Sequence, residues 1–402
     1  MPAAGRLGDR YGRRRMFLLG LVLFGGASVL CVAAPSELAL IIARLIQGLG
    51  AALLQSLALA IATHALPEER QGWALGLLAS VGTTCLTIGP VVGGALVEVG
   101  SWRWIFVLNV PIVLFSLTVA ARAARESRDP GAAAIDWGGA ALLFAALAVL
   151  VASLLHIDDW PRALTVAGIA LGLVLLIAFV EIERRRRNPL IPVTLLRRAA
   201  VEGPLIALLA IQFAVLAVTV YVVLYLQQSL GYGPLTAGLL LLPAVIWSAL
   251  LSTAIGRLAD MHGSRRLVNG GLVVAAAGLL AIAAATASDE LWVLLVALLV
   301  FGFGRPLVFT PAGAAEIQAI PSAERGLSSS LVTEARQLGA VLGVALPGAV
   351  VAAVESAAGG DAGDALADGV TAAMLVTAGL AAAAALATRS VMGGGQPVGA
   401  RR

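Results

Sequence analysis

The segment Gly5-Arg6-Leu7-Gly8-Asp9-Arg10-Tyr11-Gly12-Arg13-Arg14 returns 251 residues later as Gly256-Arg257-Leu258-Ala259-Asp260-Met261-His262-Gly263-Ser264-Arg265-Arg266. Glycines, an aspartate and arginine keep their spacing, and each copy runs directly into an apolar stretch. Gly, Arg and Asp are common in turns, so one such segment says little. Two at one offset point to an internal duplication. The physical reading is a tight loop whose glycines let two helices approach closely. Its carboxylate can face the positive N-terminal end of a neighbouring helix. The residues that carry this reading are Gly5, Asp9, Arg10, Gly12 and Arg13 in the first copy, and Gly256, Asp260, Gly263 and Arg265 in the second.

What lies between the copies is overwhelmingly apolar. Of 402 residues, 60% are hydrophobic and 12% are charged, and the mean hydropathy is +0.96. A soluble domain is about 45–50% apolar and about 25% charged, so this chain has no polar coat for water. A soluble enzyme, a disordered chain and a nucleic-acid binder are all disfavoured. At about 20 residues per membrane-spanning helix there is room for roughly a dozen spans. Apolar runs between charge clusters place them at 16–34, 38–63, 72–97, 104–121, 137–156, 163–181, 204–228, 235–255, 267–286, 291–315, 327–354 and 369–388. No segments alternate with the period of two that a membrane β-barrel needs. The triplet Arg13-Arg14-Arg15, an apolar stretch and Ala33-Ala34 look like a secretory signal. That stretch exceeds the usual apolar length, and eleven further spans follow.

The basic residues are all arginine, and their distribution sets the expected orientation. With the first segment placed in the cytoplasm and faces alternating, 22 arginines fall inside, two (Arg103 and Arg162) fall outside, and Arg44, Arg305 and Arg336 lie within spans. This is the positive-inside pattern. It places both termini in the cytoplasm and accounts for the basic balance without a nucleic-acid partner. The run Arg184–Arg187 reads as a cytoplasmic stop signal that also attracts anionic membrane lipid. Cys31 and Cys85 sit in apolar stretches, which implies no disulfide framework. His64, His156 and His262 lie at span ends or in loops, far from metal-ligand spacing. No metal, cofactor or enzymatic constellation is expected.

The duplicated segment resembles the signature that the major facilitator superfamily carries between its second and third helices. The resemblance extends along essentially the whole chain. Leu40-x-x-x-Arg44-x-x-Gln47-Gly48-x-Gly50-Ala51-Ala52 is similar to the family's fourth-helix motif. Gly89-Pro90-x-x-Gly93-Gly94 is similar to the fifth-helix motif of its drug antiporters, although Cys85 stands where that motif usually has glycine. Three further stretches resemble the 14-helix drug:proton antiporter branch. They are Trp102-Arg103-Trp104-Ile105-Phe106-x-x-Asn109-x-Pro111, Asn188-Pro189-Leu190-Ile191 and Tyr225-Leu226-Gln227-x-x-Leu230-Gly231-Tyr232-x-Pro234-x-x-x-Gly238. The resemblance implies an all-α polytopic membrane protein, a monomer in the cell membrane. It also implies proton-coupled efflux of a small lipophilic or cationic compound by alternating access, with the duplicated loops as conformational switches. A metabolite or lipid exporter of the same branch, or a remnant that does not transport, are the other readings.

The repeat does not divide the chain evenly. Two spans precede the Gly256 loop and four follow it; four follow the Gly5 loop and none precedes it. Two more lie between. The expected organisation is therefore a partial N-terminal bundle at 1–122 with four spans, a two-helix insert and linker at 123–200, and a six-helix bundle at 201–402. Relative to a 14-helix transporter the chain corresponds to helices 3–14, and two helices are expected to be missing from its front.

Polar groups inside the spans are the candidate functional residues. Arg44 either snorkels to the outer interface or, as the resemblance implies, faces the cavity and takes part in proton transfer, with Gln47 of the same motif beside the substrate. Arg305, mid-span and next to Pro306, is expected to pair with Glu334 of the following span. Arg336 lies about 200° around the helix from Glu334 and does not share its face. Glu334 is the only carboxylate placed well inside a span, which makes it the candidate to carry the proton. Tyr221, Tyr225 and Gln228 fall on one face at i, i+4, i+7. They form either a cavity for a lipophilic cation or a set of interhelical hydrogen bonds.

Overall fold

The computed structural model describes residues 2–64, 81–82, 85, 88–128, 136–157, 160–186, 198–319, 325–358 and 362–392. Among these residues the regular structure is helical throughout. Eleven helices are long and apolar enough to cross a membrane. Each corresponds to one of the expected spans. The twelfth, at 72–97, lies half outside the described residues; its end is the short apolar helix Ile88–Val99. Large apolar side chains point outward, with Phe115 at 71%, Ile177 at 69% and Leu386 at 69% exposure. In water such a surface would aggregate; in a bilayer it is the solvated face.

Contacts divide the chain into two units, Met1–Trp137 and Gly138–Arg402. The first unit contains α1 (Pro2–Tyr11), α2 (Arg13–Ala33), α3 (Glu37–His64), α4 (Ile88–Val99) and α5 (Trp104–Ala123). The 21 residues of α2 span about 30 Å at 1.5 Å per residue, the thickness of the hydrocarbon layer. Helices α2 and α3 cross where Gly20 meets Gly50. A Cβ on Gly50 would stand 2.6 Å from the Phe24 backbone nitrogen and 2.9 Å from the Gly20 carbonyl oxygen, so only glycine permits this approach. Outside the bundle proper, Arg103 donates from Nε to the Val32 carbonyl (3.1 Å) and from a terminal nitrogen to the Ala34 carbonyl (3.2 Å). It thereby caps the C-terminus of α2, where orphan carbonyls and the helix dipole favour a cation.

The second unit opens with α6 (Trp137–Leu155) and α7 (Arg162–Arg185), the expected insert. Gly172 lies against the backbone of Leu150, and Leu154 packs on Ala345 and Ala349. Next come α8 (Ala199–Ala217), α9 (Pro234–Leu240), α10 (Pro243–His262), α11 (Ser264–Ser288), α12 (Leu291–Ala319), α13 (Arg325–Ala357) and α14 (Ala362–Val391). The main core of this unit joins α8, α11, α12 and α14. The α11–α12 crossing repeats the α2–α3 crossing atom for atom: a Cβ on Gly304 would stand 2.7 Å from both the Ala275 nitrogen and the Gly271 carbonyl. Gly20 and Gly271 are themselves 251 residues apart. The duplication is therefore one of helix packing as well as of sequence.

Two expectations change. The span drawn at 235–255 is broken after Leu240, and its long part runs to His262, because Pro234 and Pro243 each start a helix. The duplicated segments are also not loops over their length. Gly5–Tyr11 is helical within α1, and Gly256–His262 is the last part of α10. The turn is a single residue in each case, Gly12 at φ 108° and Gly263 at φ 81°.

Candidate functional site

At the first turn, Asp9 and Arg13 pair across Gly12, with the carboxylate 2.8 Å from a terminal guanidinium nitrogen and 2.9 Å from Nε. The carboxylate that serves the N-terminus of α2 is a different one, Glu126, in the segment that follows α5. Its Oε1 accepts the Arg14 backbone N–H at 3.1 Å, and its Oε2 lies 3.7 Å from Arg15 Nε. The adjacent Ser127 carbonyl accepts the Arg13 N–H at 3.0 Å. Arg14 also donates to the Ala121 carbonyl at 2.6 Å, near the end of α5. The first turn is thus clamped to the last helix of its own unit by a carboxylate that free α2 N–H groups attract.

The second turn keeps half of this arrangement. Arg265, which stands 251 residues after Arg14, donates to the Arg389 carbonyl in α14 at 2.6 Å. Ser264 replaces Arg13, so Asp260 has no counterpart of the Asp9 ion pair, and it is exposed. The glycines divide in the same way. Gly5 has no neighbour within 4 Å, and Gly256 touches only Thr310 at 3.7 Å; the close approach is made by Gly8, against Leu57 of α3. Arg10 lies over the ring of adjacent Tyr11.

Deeper in the first unit, a chain of polar contacts crosses three helices. Arg44 donates to Gln47 Oε1 (2.7 Å), Gln47 donates from Nε2 to Ser28 Oγ (2.8 Å), and Ser28 donates to the Phe24 carbonyl (2.8 Å). Asn109 of α5 donates to the same Ser28 oxygen at 3.4 Å. The Arg44 guanidinium stands 5.6 Å from the Phe106 ring centroid. Gln47 is buried and Arg44 is exposed, so the amide is a holder for the arginine. Ser28 and Asn109 carried no sequence signal for this role. A serine in an apolar run and an asparagine in a Trp-rich motif acquire it only when α2, α3 and α5 meet.

The tyrosine face is not a face. Residues Val218–Val222 and Tyr225–Ser229 wind as π turns, which rotate less per residue than an α-helix and break the i, i+4, i+7 alignment. Tyr221 and Tyr225 are buried and Gln228 is exposed. Tyr221 donates its hydroxyl to the Val344 carbonyl (2.6 Å), and Tyr225 donates to Asp289 Oδ1 (2.7 Å). The alternative of interhelical hydrogen bonding is the one these atoms make.

Arg305 is 8% exposed and Glu334 is 9% exposed, but among the described residues they do not form an ion pair. The Arg305 guanidinium instead lies 5.6 Å from the Phe309 ring centroid, and Arg336 lies 5.0 Å from the same centroid. Phe309 is one helical turn beyond Arg305 on the same helix. A mid-span arginine costs roughly 2.5–3.5 kcal/mol on the gentler insertion scale. A desolvated cation–π contact offsets about 2 kcal/mol of that, so a cost of about 0.5–1.5 kcal/mol remains. A second buried carboxylate, Glu316, is 0% exposed within α12. It lies one residue beyond the expected span end, and the continuation of the helix to Ala319 is what encloses it. Of the antiporter motif, Gly89, Pro90, Gly93 and Gly94 all lie in α4. Among the described residues, Cβ atoms on Gly89 and Gly93 would meet nothing within 4 Å. No group of residues that could hold a metal ion occurs among those described.

Comparison with known proteins agrees with this architecture. The sequence profile of the Major Facilitator Superfamily matches residues 1–344. The chain is similar to multidrug resistance protein Stp of Mycobacterium tuberculosis, 32% identical over 358 residues that cover 88% of this chain and 66% of that protein. It is 32% identical to puromycin resistance protein pur8 of Streptomyces alboniger, covering 85% and 69% of the two chains. With multidrug resistance protein 3 of Bacillus subtilis it shares 31% identity, covering 87% and 69%. The chain thus spans about two thirds of the length of these relatives. Among solved structures, an auto-inhibited POT family peptide transporter superposes with a TM-score of 0.68 at 17% identity, covering 99% of this chain and 86% of that one. The human organic anion transporter MFSD10 gives 0.62 at 19%, covering 97% and 79%.

Proposed function

This chain belongs to the major facilitator superfamily, and from that premise we propose that it exports small lipophilic compounds, lipophilic cations among them, in exchange for protons. The observation that carries the reading is the 31–32% identity to drug-resistance transporters along 85–88% of the chain. Its units of motion are the bundles 1–122 and 201–402, with 123–200 as the insert between them. Gly12 and Gly263 are the switch points, since each turn ties its arginine to the last helix of its own bundle. Alternating access is the motion this duplication supports. Glu334, buried within α13, takes the proton, and Arg44, held by Gln47, governs access to the first bundle. Arg305 tunes the second. Both termini face the cytoplasm, as the arginine asymmetry favours.

The test is accumulation of a fluorescent lipophilic cation in cells expressing the chain, with and without a protonophore. Lower accumulation that the protonophore and Glu334→Gln both abolish supports the proposal. Unchanged accumulation with the protein present in the membrane, or export that survives the protonophore, overturns it.

A further inference from the structure

We propose that Arg305 and Arg336 form a binding site for an anionic group of a small amphiphile, arranged around the Phe309 ring. Three observations converge on it. First, Arg305 is more than nine-tenths buried, and among the described residues its guanidinium has no hydrogen-bond or carboxylate partner. Five directional donors without an acceptor in a low-dielectric interior are a standing demand for an anion. Second, Arg336 is placed on the same ring, 5.0 Å from the centroid against 5.6 Å for Arg305. Two cations that repel each other are thus held around one aromatic group, and Arg305 sits in the field of Arg336. An ion between them relieves that repulsion. Third, Arg336 is exposed although it lies inside a spanning helix.

Glu334, on the same helix as Arg336, lies about 200° around α13 from it. On the adjoining turn of α13, Gln212 of α8 lies beside Gly339, 3.2 Å from its Cβ to a Cβ built on that glycine. Guanidinium forks recognise planar oxyanions, carboxylate above all, in bidentate fashion. The Phe309 ring supplies an apolar face for the rest of the molecule. The class of ligand is therefore an organic carboxylate or similar oxyanion with an apolar body. It is either a free compound or a lipid headgroup phosphate. The site widens the cargo beyond cations, and it does not depend on the export reading, because binding needs no gradient.

The experiment uses the full chain purified in uncharged detergent, with 1-naphthoate as the fluorescent probe and 1-naphthamide as its neutral counterpart. We expect naphthoate to bind about tenfold more tightly than the amide. Arg336→Gln should remove that preference and leave amide binding unchanged, while Arg336→Lys keeps part of it. Arg305→Lys gives the same direction if Arg305→Gln fails to fold. A second arm measures naphthoate binding in bilayers with and without phosphatidylglycerol. Competition by this lipid that depends on Arg336 supports the site and identifies the headgroup as its occupant; no competition assigns it to the free compound. Equal binding of naphthoate and naphthamide overturns the proposal. So does an anion preference that persists in Arg336→Gln.

Discussion

Replacing Gly12 and Gly263 by alanine, one at a time, separates what the repeated turn owes to its backbone from what it owes to its surroundings. Both residues have positive φ, 108° and 81°, with ψ near 124° and 141°. An alanine in this region carries a strain of order 1–3 kcal/mol at either site. The neighbourhoods differ. A Cβ at Gly263 meets nothing within 4 Å, whereas one at Gly12 would stand 2.6 Å from Glu126 Oε1 and 2.7 Å from its Cδ. The carboxylate must retreat by roughly 0.5–0.8 Å to reach ordinary contact. That stretches its 3.1 Å bond to the Arg14 N–H past the hydrogen-bonding limit. Loss of such an N-terminal cap costs about 0.5–2 kcal/mol. The Arg15 contact, at 3.7 Å with Arg15 two-thirds exposed, adds little. Gly12→Ala should therefore lower the thermal midpoint of the purified chain further than Gly263→Ala, by the equivalent of about 1 kcal/mol. In a Glu126→Ala background the two substitutions should become equivalent. Equal losses in the parent chain, or a gap that survives removal of Glu126, would refute the reasoning.

Further outcomes follow from single contacts. Gly278→Ala should prevent correct packing of α11 on α12, since its Cβ would overlap the Phe301 backbone; Gly270→Ala, in open space, should be tolerated, and the yield of monodisperse protein compares them. Tyr225→Phe should lower stability by about 1.5–3 kcal/mol through loss of the Asp289 hydrogen bond, with substrate selectivity unchanged in a transport panel. Gln47→Leu should cut proton-dependent export by on the order of tenfold by releasing Arg44, whereas Gln228→Leu, at an exposed site, should leave it intact.

The candidate site was legible to different depths in its different parts. Arg44 and Gln47 could be chosen together because three residues on a helix bring them onto one side, and they are hydrogen bonded as that spacing allows. Glu126 could not be found, because nothing in its neighbourhood marks a charged residue after a span as the cap of a helix about 110 positions earlier. The tyrosines were placed on a common face by assuming α-helical rotation. The π turns that contain them break this rotation. Arg305 and Glu334 were matched by depth along neighbouring helices. Depth says nothing of azimuth, and the Arg305 guanidinium lies against the Phe309 ring instead.

By itself the sequence determined that this is a polytopic helical membrane protein built from a duplicated unit. Hydrophobic length and the 251-residue offset are properties of the chain that no packing can alter. Tertiary structure alone decided which glycine turns, which carboxylate caps it and which arginines share the Phe309 ring. Those depend on the distances between helices far apart in the chain. The Gly20–Gly50 and Gly271–Gly304 crossings are two such approaches, possible because no Cβ stands between the backbones.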